Sequence, residues 1–158
     1  MTSYNSAWAY LFQVAASGLL VRAAWTDLRE YRIPNGLILA LTGLFIFYAV
    51  VTAHWAGLKW DLAFAGLMFL VLLALYVLGG MGGGDVKILP VAFLWTGLSG
   101  AFPFAVLLAI FGVMHGIAAK CGWVKSQVTE SGRRRIPFAP AVAGALICTF
   151  MLRAFQLA

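Results

Sequence analysis

The sequence predicts an all-α membrane protein with about six transmembrane helices, and three observations support this fold class. Of its 158 residues, 63% are hydrophobic and only 10% are charged, whereas a soluble domain has about 25% charged residues. The mean hydropathy is +0.95. Uncharged runs reach the length of about 17 to 20 residues that a helix needs to cross a hydrocarbon core. Little sequence is left for water-soluble parts, so we expect residues 1–158 to form a single membrane-embedded domain.

Six apolar segments are candidates for these helices. The third, LAFAGLMFLVLLALYVL, is the clearest. Thirty-two uncharged residues occupy positions 88–119, too many for one helix of ordinary tilt, and TGLSGAFP interrupts them with turn residues. We therefore divide this run into a short fourth helix, expected to be enclosed by protein rather than lipid, and a fifth. The predicted spans are 7–25, 36–53, 62–78, 85–96, 102–119 and 137–155.

The basic residues are distributed unevenly over the two sides that six spans define. An excess of Lys and Arg marks the cytoplasmic side of a membrane protein. We therefore predict a multi-pass protein of the inner (cytoplasmic) membrane with both termini outside. Contact of the basic face with anionic lipid accounts for the net charge of +6 without a nucleic-acid partner. Nine basic residues lie on the predicted cytoplasmic side (Arg22, Arg29, Arg32, Lys87, Lys120, Lys125, Arg133, Arg134 and Arg135) and two on the other (Lys59 and Arg153).

The five acidic residues are rare in this composition, and two of them are placed for chemistry. Glu130 lies in a polar loop, and Glu30 lies among basic residues. Asp61 is predicted to cap the N-terminus of the third helix. Asp27 ends the first span and Asp85 follows the third, so the predicted topology brings both to the same membrane face at similar depth.

The pair Asp27 and Asp85 indicates hydrolysis by activated water. Two carboxylates at the edge of a low-dielectric region do not both ionise easily, so the pair holds a shared proton near neutral pH. One carboxylate can then take a proton from water while the other protonates the carbonyl under attack. This reaction cleaves a peptide bond without a metal ion or cofactor, and we expect neither. The alternative, a small proton-coupled transporter, would need further ionisable residues deep in the helices. Only His115 fits there, and we predict it to be a hydrogen-bonded packing residue.

Glycines surround the second aspartate in the segment GGMGGGDVK, residues 79–87. Gly82, Gly83 and Gly84 lack side chains, so a peptide can approach the backbone closely, and positive φ angles are available there. For the glycines alone, a flexible turn between two helices is the simpler interpretation. An aspartate at the membrane edge, with a second at matching depth, favours a substrate-binding loop instead.

Three segments resemble the type IV prepilin peptidases, which belong to the GxGD class of membrane aspartyl proteases. GGGDVKIL contains the signature Gly82-x-Gly84-Asp85. TDLREYRIPNGLIL, residues 26–39, is similar to the segment around the other aspartate, and RIPFAPAVAGALI, residues 135–147, resembles the Pro-Phe-x-Pro opening of the last helix. The order, spacing and sidedness of the segments agree, and the resemblance covers nearly the whole chain.

The resemblance implies an endopeptidase that removes the short leader of type IV or tight-adherence (Flp) prepilin-like precursors at the cytoplasmic membrane face. Asp27 and Asp85 match the catalytic aspartates of the family. Larger members also methylate the new N-terminus and carry a cysteine-bearing, zinc-binding insert. The chain has no CxxC pair, so we do not expect N-methyltransferase activity. The alternative is a non-catalytic pilus-assembly factor with the same fold, but the presence of both aspartates favours the enzyme.

Three polar residues near the aspartates have two interpretations each. Lys87 either stabilises a developing oxyanion or anchors its helix at the cytoplasmic surface. Arg29 either orients Asp27 or is a further cytoplasmic anchor. Asn35 follows Pro34 and is predicted to cap the second helix, with contact to a substrate as the alternative.

Overall fold

The structure is a computed structural model that describes residues 2–122, 127–128, 134–135 and 137–157, with side chains described for 7–122 and 137–155. The predictions for Lys125, Glu130 and Arg133 lie outside the described residues. The described elements are α1 Thr2–Glu30, α2 Asn35–Val51, α3 Trp55–Val77, α4 Asp85–Lys120, β1 Gln127–Val128, β2 Arg134–Arg135 and α5 Ala139–Leu157.

The predicted all-helical class is confirmed, with the addition of one small ladder. The strands β1 and β2 pair antiparallel, with Gln127 opposite Arg135. Three helical segments are long and apolar enough to cross a membrane, namely Ala7–Glu30, Trp55–Val77 and Asp85–Lys120, while Asn35–Val51 and Ala139–Phe155 are apolar but shorter. The count of six crossings and the outside location of both termini remain predictions.

The fourth and fifth predicted spans are one long element with a break. Gly97 has φ +60° and ψ 179° inside α4, so the helical path is interrupted at this residue. Only glycine adopts a positive φ routinely, which explains the residue type at the break. We call residues 85–96 α4a and residues 98–120 α4b. All residues from Ile88 to Gly97 are buried, so the expectation that the short helix is enclosed by protein is confirmed.

The third helix begins earlier than predicted, and this changes the position of Asp61. The prediction started the helix after the charges at 59 and 61, but α3 begins at Trp55, so Asp61 lies in its second turn. His54 occupies the N-cap position and makes no side-chain capping bond. The prediction of Asp61 as a cap was therefore wrong. The helix tolerates the charge because the Asp61 carboxylate lies 3.0 Å from Nε2 of His54.

The helices pack around α4 and α5, where small residues allow close approach. Alternate residues of α5 are buried alanines at positions 139, 141, 143 and 145. Gly144 faces α4b so closely that a Cβ atom there would lie 3.0 Å from the ring of Phe111. Small residues of this kind let helix backbones approach in membrane proteins. The result is a bundle in which α5 lies between α1 and α4.

His115 differs from its prediction. Its Nε2 atom is buried and has no hydrogen-bond partner among the described residues. The expected hydrogen-bonded packing role is therefore not observed within that part of the chain.

Phe102 and Phe104 form a matched pair that tests the packing. Phe104 is 0% exposed and its ring meets that of Phe93 edge-on at 5.2 Å, while Phe102 is 79% exposed. Removing a buried Phe side chain costs about 3 to 5 kcal/mol in soluble protein cores. We expect Phe104→Ala to lower the thermal unfolding midpoint in detergent by several degrees and Phe102→Ala to leave it nearly unchanged. Equal shifts for both variants would contradict the burial pattern.

Candidate active site

Asp27 lies in the last turn of α1 and is held by the first residue of α5. Its carboxylate is buried, with 7% of the residue exposed. The backbone N–H of Ala139 donates to Oδ2 of Asp27 over 2.9 Å. The first N–H groups of a helix have no partner within the helix and carry a partial positive charge. The bond therefore satisfies a buried amide and stabilises negative charge on Asp27.

The Pro-Phe-x-Pro segment explains why α5 begins at this point. Pro137 and Phe138 precede the helix, and the carbonyl of Phe138 accepts the N–H groups of Ala141 (3.0 Å) and Val142 (3.3 Å). Pro140 occupies the first turn, where the missing N–H of proline is not needed by the helix. The segment thus starts the helix at Ala139 and directs its free amide towards Asp27, as the resemblance to the opening of a last helix predicted.

The turn between α1 and α2 forms one wall of the site. Tyr31 has φ +52°, a left-handed conformation that ends α1, and its N–H donates to the carbonyl of Asp27 over 3.0 Å. Ile33 precedes Pro34 and so is disfavoured in helical conformation. The side chain of Ile33 is buried, which fixes the turn against the rest of the bundle.

The glycine segment ends α3 with a Schellman motif. Gly79 has φ +76°, and its N–H donates to the carbonyl of Tyr76 while that of Gly80 donates to the carbonyl of Leu75, both over 2.9 Å. These two bonds satisfy carbonyls that the helix end leaves without partners. Only Gly79, among the glycines from 79 to 84, has a positive φ, so Gly82, Gly83 and Gly84 do not use the positive φ angles available to them.

Gly82 and Gly84 lie close to other side chains, and the approach is tight at Gly82. A Cβ atom at Gly82 would lie 3.0 Å from Oδ2 of Asp85, and one at Gly84 would lie 3.4 Å from Cδ1 of Ile33. The carbonyl of Gly82 also accepts the N–H of Asp85 over 3.1 Å. Asp85 is the first residue of α4, where a carboxylate is favoured by the helix dipole. The glycines thus let the loop fold closely around Asp85 and against the α1–α2 turn.

The structure brings the two predicted catalytic aspartates to one cavity of about 600 Å³. Asp27 enters it from α1 and Asp85 from α4a. Three segments that are distant in sequence form the walls: the end of α1 with the turn into α2, the glycine loop with the start of α4a, and the start of α5. The other lining residues are Glu30, Tyr31, Arg32, Ile33, Pro34, Asn35, Gly82, Gly83, Gly84, Lys87, Pro137 and Phe138.

Of the predicted supporting residues, Lys87 and Asn35 meet and Arg29 lies elsewhere. Nζ of Lys87 donates to Oδ1 of Asn35 over 3.0 Å, in an exposed position at the cavity wall. Pro34 occupies the N-cap position of α2 and no side chain caps that helix, so the prediction of Asn35 as the cap was wrong. Arg29 does not line the cavity; its guanidinium lies 4.3 Å from the ring centroid of Trp25.

Sequence reasoning missed the contact that orients Asp27, because a backbone amide has no residue signature of its own. The usable signal was the proline pair at 137 and 140, which marks a helix start on the predicted cytoplasmic side. It also missed Ile33, whose side chain lies beside the glycine loop, since a Cβ atom at Gly84 would lie 3.4 Å from its Cδ1. The sequence Ile-Pro-Asn predicted a turn, but it did not indicate that the turn lies beside the glycine loop.

Comparison with known proteins gives a family match and one curated relative. The model of the type IV leader peptidase family matches residues 14–117, which include both aspartates. The "prepilin leader peptidase/N-methyltransferase" of Bacillus subtilis (strain 168) is 32% identical over 139 residues. The match covers 84% of this chain and 52% of the relative, so the chain spans about half the length of that protein. No solved structure matches. On the family match and this identity, the chain belongs to the type IV leader peptidase family.

Proposed function

We propose that this protein is an aspartic endopeptidase that removes the short leader from type IV or Flp prepilin-like precursors. The observation that supports this most is one cavity lined by two aspartates 58 positions apart in the sequence. Membership of the leader peptidase family and the printed name of the Bacillus subtilis relative support the class of substrate. N-methyltransferase activity, which that name also includes, is not part of the proposal.

In the proposed reaction, water is activated between Asp27 and Asp85. One carboxylate takes a proton from water while the other carries the proton that polarises the scissile carbonyl. The amide of Ala139 donates to Oδ2 of Asp27, so this oxygen is an acceptor and does not hold the shared proton. The proton is therefore on the other oxygen of Asp27 or on Asp85. The glycine loop leaves space beside Asp85 for an extended peptide.

We propose that the cavity opens at the cytoplasmic face of the inner membrane and that the protein crosses this membrane several times. Arg32 and Lys87 line the cavity, and both belong to the more basic side of the sequence, which the positive-inside rule assigns to the cytoplasm. A precursor anchored by its hydrophobic helix would present its leader junction at this depth. The site would then cleave where the leader meets the membrane.

Proton-coupled transport receives less support. A proton path along α4a would need ionisable or hydroxyl groups in its interior. The residues from Ile88 to Trp95 are apolar or aromatic and are buried. The short helix therefore offers no relay between the cavity and the opposite end of the bundle.

Substitution of either aspartate tests the proposed reaction. We expect Asp27→Asn and Asp85→Asn each to lower cleavage of a co-expressed Flp-type prepilin by at least about 100-fold, since acid–base groups contribute roughly 10²- to 10⁴-fold. Cleavage is measured by gel shift and by the mass of the new N-terminus. Asp27→Asn keeps an oxygen that can accept the Ala139 amide, so the variant should still fold.

Glu30→Gln is the matched control for these two variants. Glu30 is an exposed carboxylate at the edge of the same cavity, so its removal tests whether loss of any nearby negative charge is enough. We expect cleavage by Glu30→Gln to stay within about threefold of the unsubstituted protein, the range that loss of a surface charge produces. Normal cleavage by Asp27→Asn or Asp85→Asn would rule out the two-carboxylate reaction.

A double-mutant cycle tests whether Lys87 acts through its hydrogen bond to Asn35. If Lys87 acts through its bond to Asn35, we expect Lys87→Met and Asn35→Ala each to lower kcat/KM by about two- to tenfold, matching a hydrogen bond worth roughly 0.5 to 1.5 kcal/mol. The double variant should then be no worse than either single one. A multiplied loss in the double variant would instead indicate that Lys87 acts independently of Asn35, as expected of an oxyanion-stabilising group.

A further inference from the structure

The break at Gly97 lies at the end of the bundle opposite the aspartate cavity, and it leaves backbone groups without helical partners. In hydrocarbon each such group costs several kcal/mol if it stays unsatisfied. Side chains bind four backbone groups beside the break. The hydroxyl of Thr96 donates to the carbonyl of Phe93 over 3.1 Å; the other three are bound by residues of α3 and α5.

Arg153 of α5 binds the end of α4a. Its Nη1 donates to the carbonyl of Trp95 over 3.3 Å and its Nη2 donates to the carbonyl of Thr96. These carbonyls are the last two of the short helix, where the negative end of the helix dipole favours a cation. The planar guanidinium reaches both carbonyls together, which a lysine ammonium does less well.

Asp61 of α3 binds the start of α4b. Its Oδ1 accepts the N–H of Leu98 over 3.3 Å, and its Oδ2 lies 3.0 Å from Nε2 of His54. A carboxylate at the first amide of a helix is favoured by the positive end of the dipole. Arg153 and Asp61 therefore hold the two sides of one break with charges of the matching sign.

Two glycines give these side chains room. A Cβ atom at Gly97 would lie 2.5 Å from Oδ1 of Asp61, and one at Gly100 would overlap Nη2 of Arg153. Trp95 adds a link to α2, because its indole N–H donates to the carbonyl of Leu41 over 3.1 Å. Residues of α2, α3 and α5 thus meet at the break, which we call the junction. No part of the junction touches the aspartate cavity.

We propose that Arg153 and Asp61 are positioning residues for Asp85, an inference that rests on the proposed peptidase function. Residues 85–96 form one short helix with Asp85 at one end and the bound carbonyls at the other, about 17 Å away at 1.5 Å per residue. Pro90 lies inside this helix, and burial of residues 88–96 by the surrounding helices holds it in place. Contacts that hold one end of this helix fix its depth in the bundle and its rotation about its axis. They thereby place Asp85 opposite Asp27. Acid–base chemistry between two side chains is sensitive to such placement, since a shift of about 1 Å costs roughly 100-fold in rate.

The first test is kinetic. We expect Arg153→Met to lower kcat for prepilin cleavage by at least about tenfold with a small change in KM, because the defect is in the placement of Asp85 and not in substrate binding. Arg153→Gln, which keeps donors for the carbonyls, should restore part of the loss. Asp61→Asn keeps an acceptor for the Leu98 amide and should be mild, whereas Asp61→Leu should resemble Arg153→Met.

Lys59→Met is the matched control for loss of a cation. Lys59 is exposed, belongs to the same end of the bundle, and its Nζ lies 5.6 Å from the ring centroid of Trp60 without touching the break. We expect the Lys59→Met variant to cleave prepilin at the same rate as the unsubstituted protein. A loss in Lys59→Met equal to that in Arg153→Met would overturn the proposal, because overall charge would then explain both.

A second readout does not depend on proteolysis. A Cβ atom at Gly84 would lie 3.4 Å from Cδ1 and 3.7 Å from Cγ1 of Ile33, so Ile33→Cys with Gly84→Cys should form a disulfide on mild oxidation when Cys121 and Cys148 are replaced by Ser. We expect Arg153→Met and Asp61→Leu to lower the disulfide yield and Lys59→Met to leave it unchanged.

The two readouts distinguish failure of this inference from failure of the proposed function. If the unsubstituted protein cleaves no prepilin, the peptidase proposal fails and the disulfide yield still tests the junction. Unchanged kcat together with unchanged disulfide yield in Arg153→Met overturns the positioning role. If Arg153→Met does not accumulate in the membrane, kcat and disulfide yield are compared in Arg153→Gln, Asp61→Asn and Asp61→Leu instead. Unchanged values of both in Asp61→Leu would then overturn the positioning role.

Discussion

Helix ends inside a membrane bundle leave backbone N–H and C=O groups that water does not reach, and this constraint governs the whole structure. A buried amide or carbonyl without a partner costs far more than a hydrogen bond contributes. The chain meets the requirement in three ways. Backbone bonds of a Schellman motif end α3 at Gly79, the carboxylate of Asp27 accepts the first amide of α5, and Arg153 and Asp61 bind the two sides of the α4 break. Three of the rare charged residues, Asp27, Asp61 and Arg153, thus bind backbone groups at a helix start or at the break.

The same constraint explains how the candidate site is assembled. Asp27 does two things at once, since it satisfies the amide of Ala139 and supplies one carboxylate of the proposed reaction. That amide in turn fixes the carboxylate, so the chemistry uses a group that the fold has already immobilised. Asp85 is oriented differently, by its position at the start of α4a and by a glycine loop that crowds its carboxylate. A contact between helices thus orients the carboxylate of Asp27, whereas the glycine loop lies closely against the carboxylate of Asp85.

Much of this arrangement could be predicted from the sequence, because the signals were local. The aspartates, the glycine loop and the break near Gly97 each follow from residue types within a few positions. The errors also have a local cause. The start of α3 was placed after Lys59 and Asp61 because charges were taken to end an apolar span, yet His54 and Leu98 satisfy Asp61 inside the helix. Contacts across the bundle, such as Lys87 with Asn35 and Arg153 with the carbonyls of α4a, join residues more than 50 positions apart. No pattern within one segment reports such a partner.

The residues that the family match covers separate the aspartate-bearing helices from α5. The match covers residues 14–117 and so includes both aspartates, the glycine loop and the break in α4, whereas α5 lies beyond it. What α5 contributes to Asp27 is a backbone amide, which many residue types can supply at that position. What it contributes to α4a is one long cationic side chain that must reach two carbonyls. Small residues such as Gly144 keep the helix close to its neighbours. The site thus takes both carboxylates from helices within the matched residues, and from α5 it takes a backbone amide that holds Asp27 and a guanidinium that binds α4a.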